Sequence, residues 1–496
     1  MIRIIKLNNQ KESSGIEFIR TFLGVVNITY IPIIVFSVFI LIFTCIFAGT
    51  VSPLFFFIVL LVLGLGILGL TRSKNKEDLI FTVRLFTFVF FFSIIVTCLI
   101  YFYYLQVFRV PYESGGTDDA RFEYQADVLR FSRVESYEDA KRIIASMGAG
   151  TWNTAGNYTI VLALVKSLAA DIGLVPHTLD PRLINGFFLA MTAVLVWKVT
   201  KYCTKNESTA RFAGYYVGLL PSVVFTAAHI YRDMLIGFGL MLIIALTISL
   251  VDHFRYLNSP GGFLKIIVIL GALIASWFLT ASLRTGFLII IAFMVGLMVI
   301  VQLRSPLLRV GLILLFSMGI FIASNNGIFN SFYSQAENYL DYYTNYRAGM
   351  GSESGIATGI YRLPPLISYP FRFVYASISP LPFPSPLISE DYRGLGIIIW
   401  YFSLPFLVSS LFTINRTINH IGDPIRRSVI VAFLVMYVTY AIVTLVARQI
   451  TMYAPAGAIL IALGIEESKG PLSKQILIMI ILGVFMALMY AVVKII

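Results

Sequence analysis

Apolar runs long enough to cross a bilayer recur along almost the whole chain, and they leave few folds open. A helix needs about 20 mostly apolar residues to cross about 30 Å of hydrocarbon. In that layer only helices and closed barrels satisfy their own backbone polar groups. Such runs begin at Asn27–Gly49, Ser52–Thr71 and Ile80–Phe108 and continue to the C-terminal region. The short alternating segments of a membrane barrel are missing from the sequence. Only 12% of the 496 residues are charged, where a soluble globule carries about a quarter. The expected class is all-α: a polytopic transmembrane helical bundle of about thirteen spans with extracytoplasmic juxtamembrane helices.

The formal net charge of +12 is read as a membrane signature, because Lys and Arg collect in cytoplasmic loops. No nucleic-acid partner is implied; the partner implied is the lipid bilayer. The three cysteines, Cys45, Cys98 and Cys203, sit in or at the ends of apolar runs, with neither disulfide nor metal spacing. Residues 1–26 are too polar for a signal peptide and lack a small-residue cleavage site, so they read as a cytoplasmic, surface-lying segment.

Residues 27–79 form an N-terminal hairpin followed by the basic loop RSKNKEDL, Arg72 to Leu79. That loop and the N-terminus are expected inside. The third span then delivers the outer loop, 109–179, to the opposite face. Residues 157–175 carry Lys166 in an apolar setting. Were they to cross, Lys198, Lys201, Lys205 and Arg211 would face outward against the positive-inside bias. They are therefore expected to be a juxtamembrane helix, with Lys166 snorkelling to the interface. Further spans are expected at about Arg182–Tyr202, 209–230, 234–252, 262–281, 286–303 and 307–324, completing a module over 80–324. A second outer segment, 325–394, is rich in proline and aromatics; proline prevents a continued helix. The last spans, within 395–496, are expected at about 395–414, 428–447, 450–466 and 475–493.

The outer loop opens with Gly115–Arg130, GGTDDARFEYQADVLR. Asp118 and Asp119 are the candidate catalytic pair. The functional reading is a general base for an attacking sugar hydroxyl, worth about 10²–10⁴-fold in rate. The plain alternative is a pair of helix-capping acids favoured by the helix dipole. A paired outer carboxylate is also able to hold a divalent cation, but adjacent aspartates specify one poorly; no other cofactor is indicated.

Arg232, Arg284 and Arg448 sit where spans meet the outer face, and Arg347, Arg362, Arg372 and Arg393 lie in the second outer segment. Arginines there run against the usual bias and need a carboxylate, a headgroup or a ligand. Guanidinium matches phosphate oxygens two at a time, so the functional reading is a clamp for a lipid-linked phosphate or pyrophosphate; the alternative is snorkelling or structural ion pairing. Asp233 is a carboxylate near membrane depth and a candidate by that fact, or simply a helix N-terminal charge. His229 reads as structural. Tyr124, Tyr361 and Tyr375 would line a sugar or lipid path or anchor the interface. The chain has neither a Walker A loop nor a dinucleotide glycine fingerprint.

The order of an apolar span, an outer loop with DDARFEYQADVL, an amphipathic helix, PRLINGFFLAMTAVLVWKVTKY and GLLPSVVFTAAHIYRDMLIGF resembles the GT-C superfamily of polytopic glycosyltransferases. YRLPPLISYPF, SPLPFPSP and ARQITMYAPAGAIL resemble bacterial polysaccharide repeat-unit polymerases of the Wzy type. The resemblance covers 80–290 and, more loosely, 360–466; the hairpin 27–71 departs from it. It implies glycosyl transfer from a polyprenyl-(pyro)phosphate-linked sugar or oligosaccharide to a glycan or lipid acceptor, in the bacterial cytoplasmic membrane. It also implies Asp118 as the catalytic acid with Asp119 beside it, Arg448 and Arg284 on the pyrophosphate, and other polysaccharide-assembly proteins as partners. The competing expectations are a transporter or flippase of lipid-linked saccharides and a non-catalytic component of an assembly complex.

Overall fold

The computed structural model describes residues 31–71, 75–113, 118–132, 134, 136–147, 151–254, 260–284, 286–303, 305–325, 359–360, 363–378, 388–412, 424–443, 447–467 and single positions between 477 and 484. Among these residues the fold is helical throughout, with no strand. Among the described residues nine helices are long and apolar enough to cross a membrane: Ile31–Ala48, Ser52–Leu70, Lys76–Phe108, Leu179–Thr204, Asp233–His253, Gly261–Ser282, Asp391–Leu411, Pro424–Ile442 and Ile450–Glu467. A tenth apolar helix, Phe287–Gln302, is shorter. The protein is a multi-pass helical membrane protein. The expected N-terminal segment and most of the expected last span, 475–493, lie outside the described residues.

The chain divides into two compact units. Unit 1 comprises 1–194 and 224–231; unit 2 comprises 195–223 and 232–496.

In unit 1, α1 (Ile31–Ala48) and α2 (Ser52–Leu70) form the hairpin, and α3 (Lys76–Phe108) packs against both. Asn75 caps α3 by accepting from the Glu77 N–H, and Glu77 and Asp78 add favourable charge to its first turn. Arg109 ends it in the left-handed region at φ 62°. Gly64 is required where α2 crosses α3: a Cβ there would lie 2.2 Å from the Phe86 ring. Many apolar side chains of α1 and α2, Phe39, Ile46, Phe47 and Val62 among them, are exposed, which water would penalise and lipid would not.

Three further helices follow: α4 (Asp118–Phe131), α5 (Tyr137–Ser146) and α6 (Thr151–Asp171). Ser136 caps α5, and α4 packs along α6. The helix α7 (Leu179–Thr204) then starts at the end of unit 1 where α1 and α3 finish. Three hydrogen bonds fix this: Thr50 to the Val175 carbonyl at 2.7 Å, Ser52 to Asp180 at 2.7 Å, and Arg182 to the Pro111 carbonyl. The turn between α1 and α2, the Val175–Arg182 stretch and Pro111 therefore lie together at one end of unit 1.

In unit 2, α8 (Glu207–Leu219) and α9 (Pro221–Ala227, whose last residues belong to unit 1) replace the single span expected at 209–230. Pro221 supplies no N–H, and Leu220 before it is extended at ψ 114°, the conformation a following proline favours. Then come α10 (Asp233–His253), α11 (Pro260–Ser282), α12 (Phe287–Gln302), α13 (Pro306–Asn325), α14 (Pro365–Ile378), α15 (Ile388–Phe412), α16 (Pro424–Val443) and α17 (Ile450–Glu467). The buried centre is α17, against which α8, α10, α15 and α16 all pack.

Candidate functional site

Among the described residues, the sequence candidates fall mainly into two polar clusters, one in each unit.

The unit 1 cluster is built on the α4–α6 contact. Glu123 and Asp127 are four residues apart and so share one face of α4. Lys166, from α6, enters between them. Its Nζ lies 2.7 Å from Glu123 Oε1 and 2.8 Å from Asp127 Oδ2. The second Glu123 oxygen accepts from Thr178 at 2.6 Å and Tyr112 at 3.0 Å. Burial alone would raise the Glu123 carboxyl; the Lys166 charge, hydrogen bonds from Lys166 and Thr178, and Arg182 outweigh it and hold it below its ordinary value. Burial and the neighbouring Glu123 charge push the Tyr112 phenol up. Lys166 is thus a buried, doubly paired ammonium and does not snorkel: an ammonium at this depth is stable only with counter-charges and hydrogen bonds.

Around this core, Asp119 is fully buried. Its Oδ2 accepts from the Glu113 N–H at 3.2 Å, and its Oδ1 lies 2.9 Å from the Ala120 N–H. The Glu113 carboxylate accepts from the Tyr231 hydroxyl. Tyr231 stacks on His229. His229 Nδ1 is 2.6 Å from the Phe225 carbonyl, to which it donates, and Nε2 is 3.0 Å from the Tyr104 hydroxyl. Arg182 is fully buried, and its Nε and Nη1 have no hydrogen-bond partner among the described residues. His177 is pushed down to about 4, chiefly by burial.

Asp118 and Asp119 begin α4, where acids are favoured by the helix dipole. They face different ways. Asp119 joins the buried network, while Asp118 is about one-third exposed and lies 3.9 Å from Arg121, one helical turn on. Tyr124 is exposed on the same helix.

The unit 2 cluster surrounds Asp233, the first residue of α10. Arg448 Nε lies 3.3 Å from Asp233 Oδ2 and Arg284 Nη1 lies 3.7 Å from Asp233 Oδ1. Arg232 donates to the carbonyl of Leu283, the residue before Arg284, at 3.1 Å. Thr451 donates to the Asp233 and Arg448 carbonyls, each at 3.1 Å. Gly237 lets α10 press on α17: a Cβ there would stand 2.5 Å from the Thr451 carbonyl. Four of the candidates, Arg232, Asp233, Arg284 and Arg448, are therefore gathered at one place, although they come from three separate stretches of chain. Arg372 is buried elsewhere in the unit, donating to Ser368 at 3.0 Å and to the Ile442 carbonyl at 3.2 Å. Arg362, Arg347 and Tyr361 lie outside the described residues.

Among the described residues no three His, Cys, Asp or Glu side chains converge as a metal site would require. A cleft of about 440 Å³ in unit 1, lined by Ile42, Cys45, Thr50, Leu54 and Val175, is apolar and includes none of the cluster's ionic groups.

Sequence reasoning left Glu113, Arg182 and the Lys166–Glu123 pair unassigned. The pair had a signal: a lysine inside an apolar helix requires a partner, and Glu123 and Asp127 at helical spacing offer one. Compared with protein-family models, with curated proteins and with solved structures, the chain matches none.

Proposed function

We propose that this protein is an integral-membrane glycosyltransferase. It takes a sugar or oligosaccharide from a polyprenyl phosphate or pyrophosphate on the extracytoplasmic face of a bacterial cytoplasmic membrane, in the assembly of a cell-surface polysaccharide. The observation that carries this reading is the gathering of Arg232, Arg284 and Arg448 about Asp233 in a membrane protein. Guanidinium forks match phosphate oxygens and keep their charge at any relevant pH. Such a cluster, fixed before the substrate arrives, stabilises the charge that grows on a departing phosphate.

The acid–base role is assigned to the outer loop of unit 1, with Asp118 as the base for the acceptor hydroxyl and Asp119 beside it. Partly exposed Asp118 is accessible to an acceptor; buried Asp119 holds the start of α4 against Glu113. A lipid-linked donor also suits the geography, because sugar nucleotides are made inside the cell and an outward site needs a carrier.

The test is product formation by the purified full chain in lipid nanodiscs, given a polyprenyl-pyrophosphate oligosaccharide and a glycan acceptor. Product from the native chain that vanishes in Arg448→Ala and Asp118→Asn supports the reading. Undiminished product from Asp118→Asn removes the base assignment. Transbilayer movement of the donor without product would make the protein a transporter of lipid-linked saccharides.

A further inference from the structure

The carboxylate at the centre of the arginine cluster is held in an unusual way. Asp233 is buried, yet among the described residues its side chain receives no hydrogen bond and is held by ion pairs of 3.3 and 3.7 Å. A tight charge-assisted hydrogen bond closes to about 2.7–2.9 Å. Unit 2 contains the contrasting case. Arg426 presents two nitrogens to both oxygens of Glu467, with Nη2 to Oε2 at 2.7 Å, and donates to the Ser410 carbonyl at 2.8 Å. That is a bidentate pair that joins two helices, closed tightly although Glu467 reaches the surface.

The Asp233 backbone, unlike its carboxylate, is fixed. Thr451 donates to its carbonyl, and the close approach at Gly237 sets the α10–α17 distance one turn later. The side chain is thus delivered to one point between two guanidiniums and ion-pairs with both at more than the tight hydrogen-bond distance.

We infer that Asp233 is a resident counter-anion: it orients Arg284 and Arg448 toward a common point and competes with the phosphate oxygens that bind there. This rests on the phosphate-clamp reading above and deepens it. Asp233 is a positioning residue and not a catalytic one. Its repulsion of a phosphate about 6 Å away weakens ground-state binding on the order of three- to tenfold when water screens the pair. An enzyme that must release a pyrophosphate gains from this, since equal tightening of ground and transition states lowers KM without raising kcat.

The experiment is calorimetric titration of inorganic pyrophosphate into the detergent-solubilised full chain at fixed ionic strength. It compares the native protein with Asp233→Asn, Asp233→Glu, Arg284→Gln and the double variant Asp233→Asn/Arg284→Gln. The expected result is binding about three- to tenfold tighter in Asp233→Asn, near-native in Asp233→Glu, and weaker in Arg284→Gln. Should Asp233→Asn fail to fold, the charge-balanced double variant compared with Arg284→Gln gives the same reading. Weaker binding in Arg284→Gln together with unchanged or weaker binding on loss of the Asp233 charge overturns the inference and leaves the clamp standing. No native binding, or binding indifferent to Arg284, overturns the clamp itself and the inference with it.

Discussion

Lys166 lies 2.7 Å from Glu123, and both side chains are almost fully buried in the α4–α6 contact. This pair, with Asp127 on its other side, decides how the acidic loop is presented. In the same helix Phe122, Ala126 and Leu129 are also buried, so charge and apolar packing both contribute to the α4–α6 contact.

Breaking the pair from one side should be costly. Lys166→Met leaves Glu123 and Asp127 facing each other without an ammonium, and such one-sided losses cost about 3–5 kcal/mol. Hydrogen exchange should then rise across Asp118–Phe131 before it rises in α3. Lys166→Met/Glu123→Gln should recover part of the loss. Unchanged exchange in the single variant would show that the pair does not hold the helix.

His177 makes the stability of unit 1 depend on acid. Its folded value is about 4 against 6.5 for the free side chain, so the unfolded chain binds the proton first as pH falls. Stability is therefore full above about 6.5, declines between 6.5 and about 4, and declines no further on this account below that. Glu123 acts in the same direction at lower pH, because its carboxyl is held below its ordinary value. Melting followed from pH 8 to 4 should show the decline, and His177→Gln should flatten its upper part.

Gly237 tests the packing behind the arginine cluster. Gly237→Ala places a methyl 2.5 Å from the Thr451 carbonyl, and overpacking of this kind costs about 1–3 kcal/mol. Gly271→Ala in α11, where nothing lies within 4 Å, is the control and should melt at or above the native temperature. Equal melting of the two variants would contradict the close approach.

The two candidate acids should separate in stability as they do in exposure. Asp118 pairs with Arg121 at 3.9 Å at a partly exposed position, where such pairs contribute about 0–1 kcal/mol. Asp118→Asn should therefore melt as the native protein does, so any activity it loses is chemical. Asp119→Asn alters a buried acceptor of the Glu113 N–H and should lower the melting temperature. A stable Asp119→Asn beside an unstable Asp118→Asn would reverse the assignment of buried and accessible acid.

Much of this architecture was legible in the residues. Apolar runs located the long helices to within a few positions, since crossing a bilayer fixes both length and composition. The Pro221 break was harder to place, because hydropathy continues straight through Leu219–Val223 although the backbone cannot. The meeting of Arg232, Arg284 and Arg448 at Asp233 was legible only as a shared oddity, arginines at outer span ends; no periodicity links stretches of chain so far apart in sequence. Glu113 and Arg182 carried no such mark. Their partners, Tyr231 and the Pro111 carbonyl, are set by tertiary packing alone.

The most direct test of the proposed activity is the transfer reaction itself, with native chain, Asp118→Asn and Arg448→Ala in nanodiscs and polymeric or extended glycan as the readout. The account predicts product from the native chain and a loss of at least about a hundredfold in each variant, with melting unchanged in Asp118→Asn. Native-level product from both variants would contradict it.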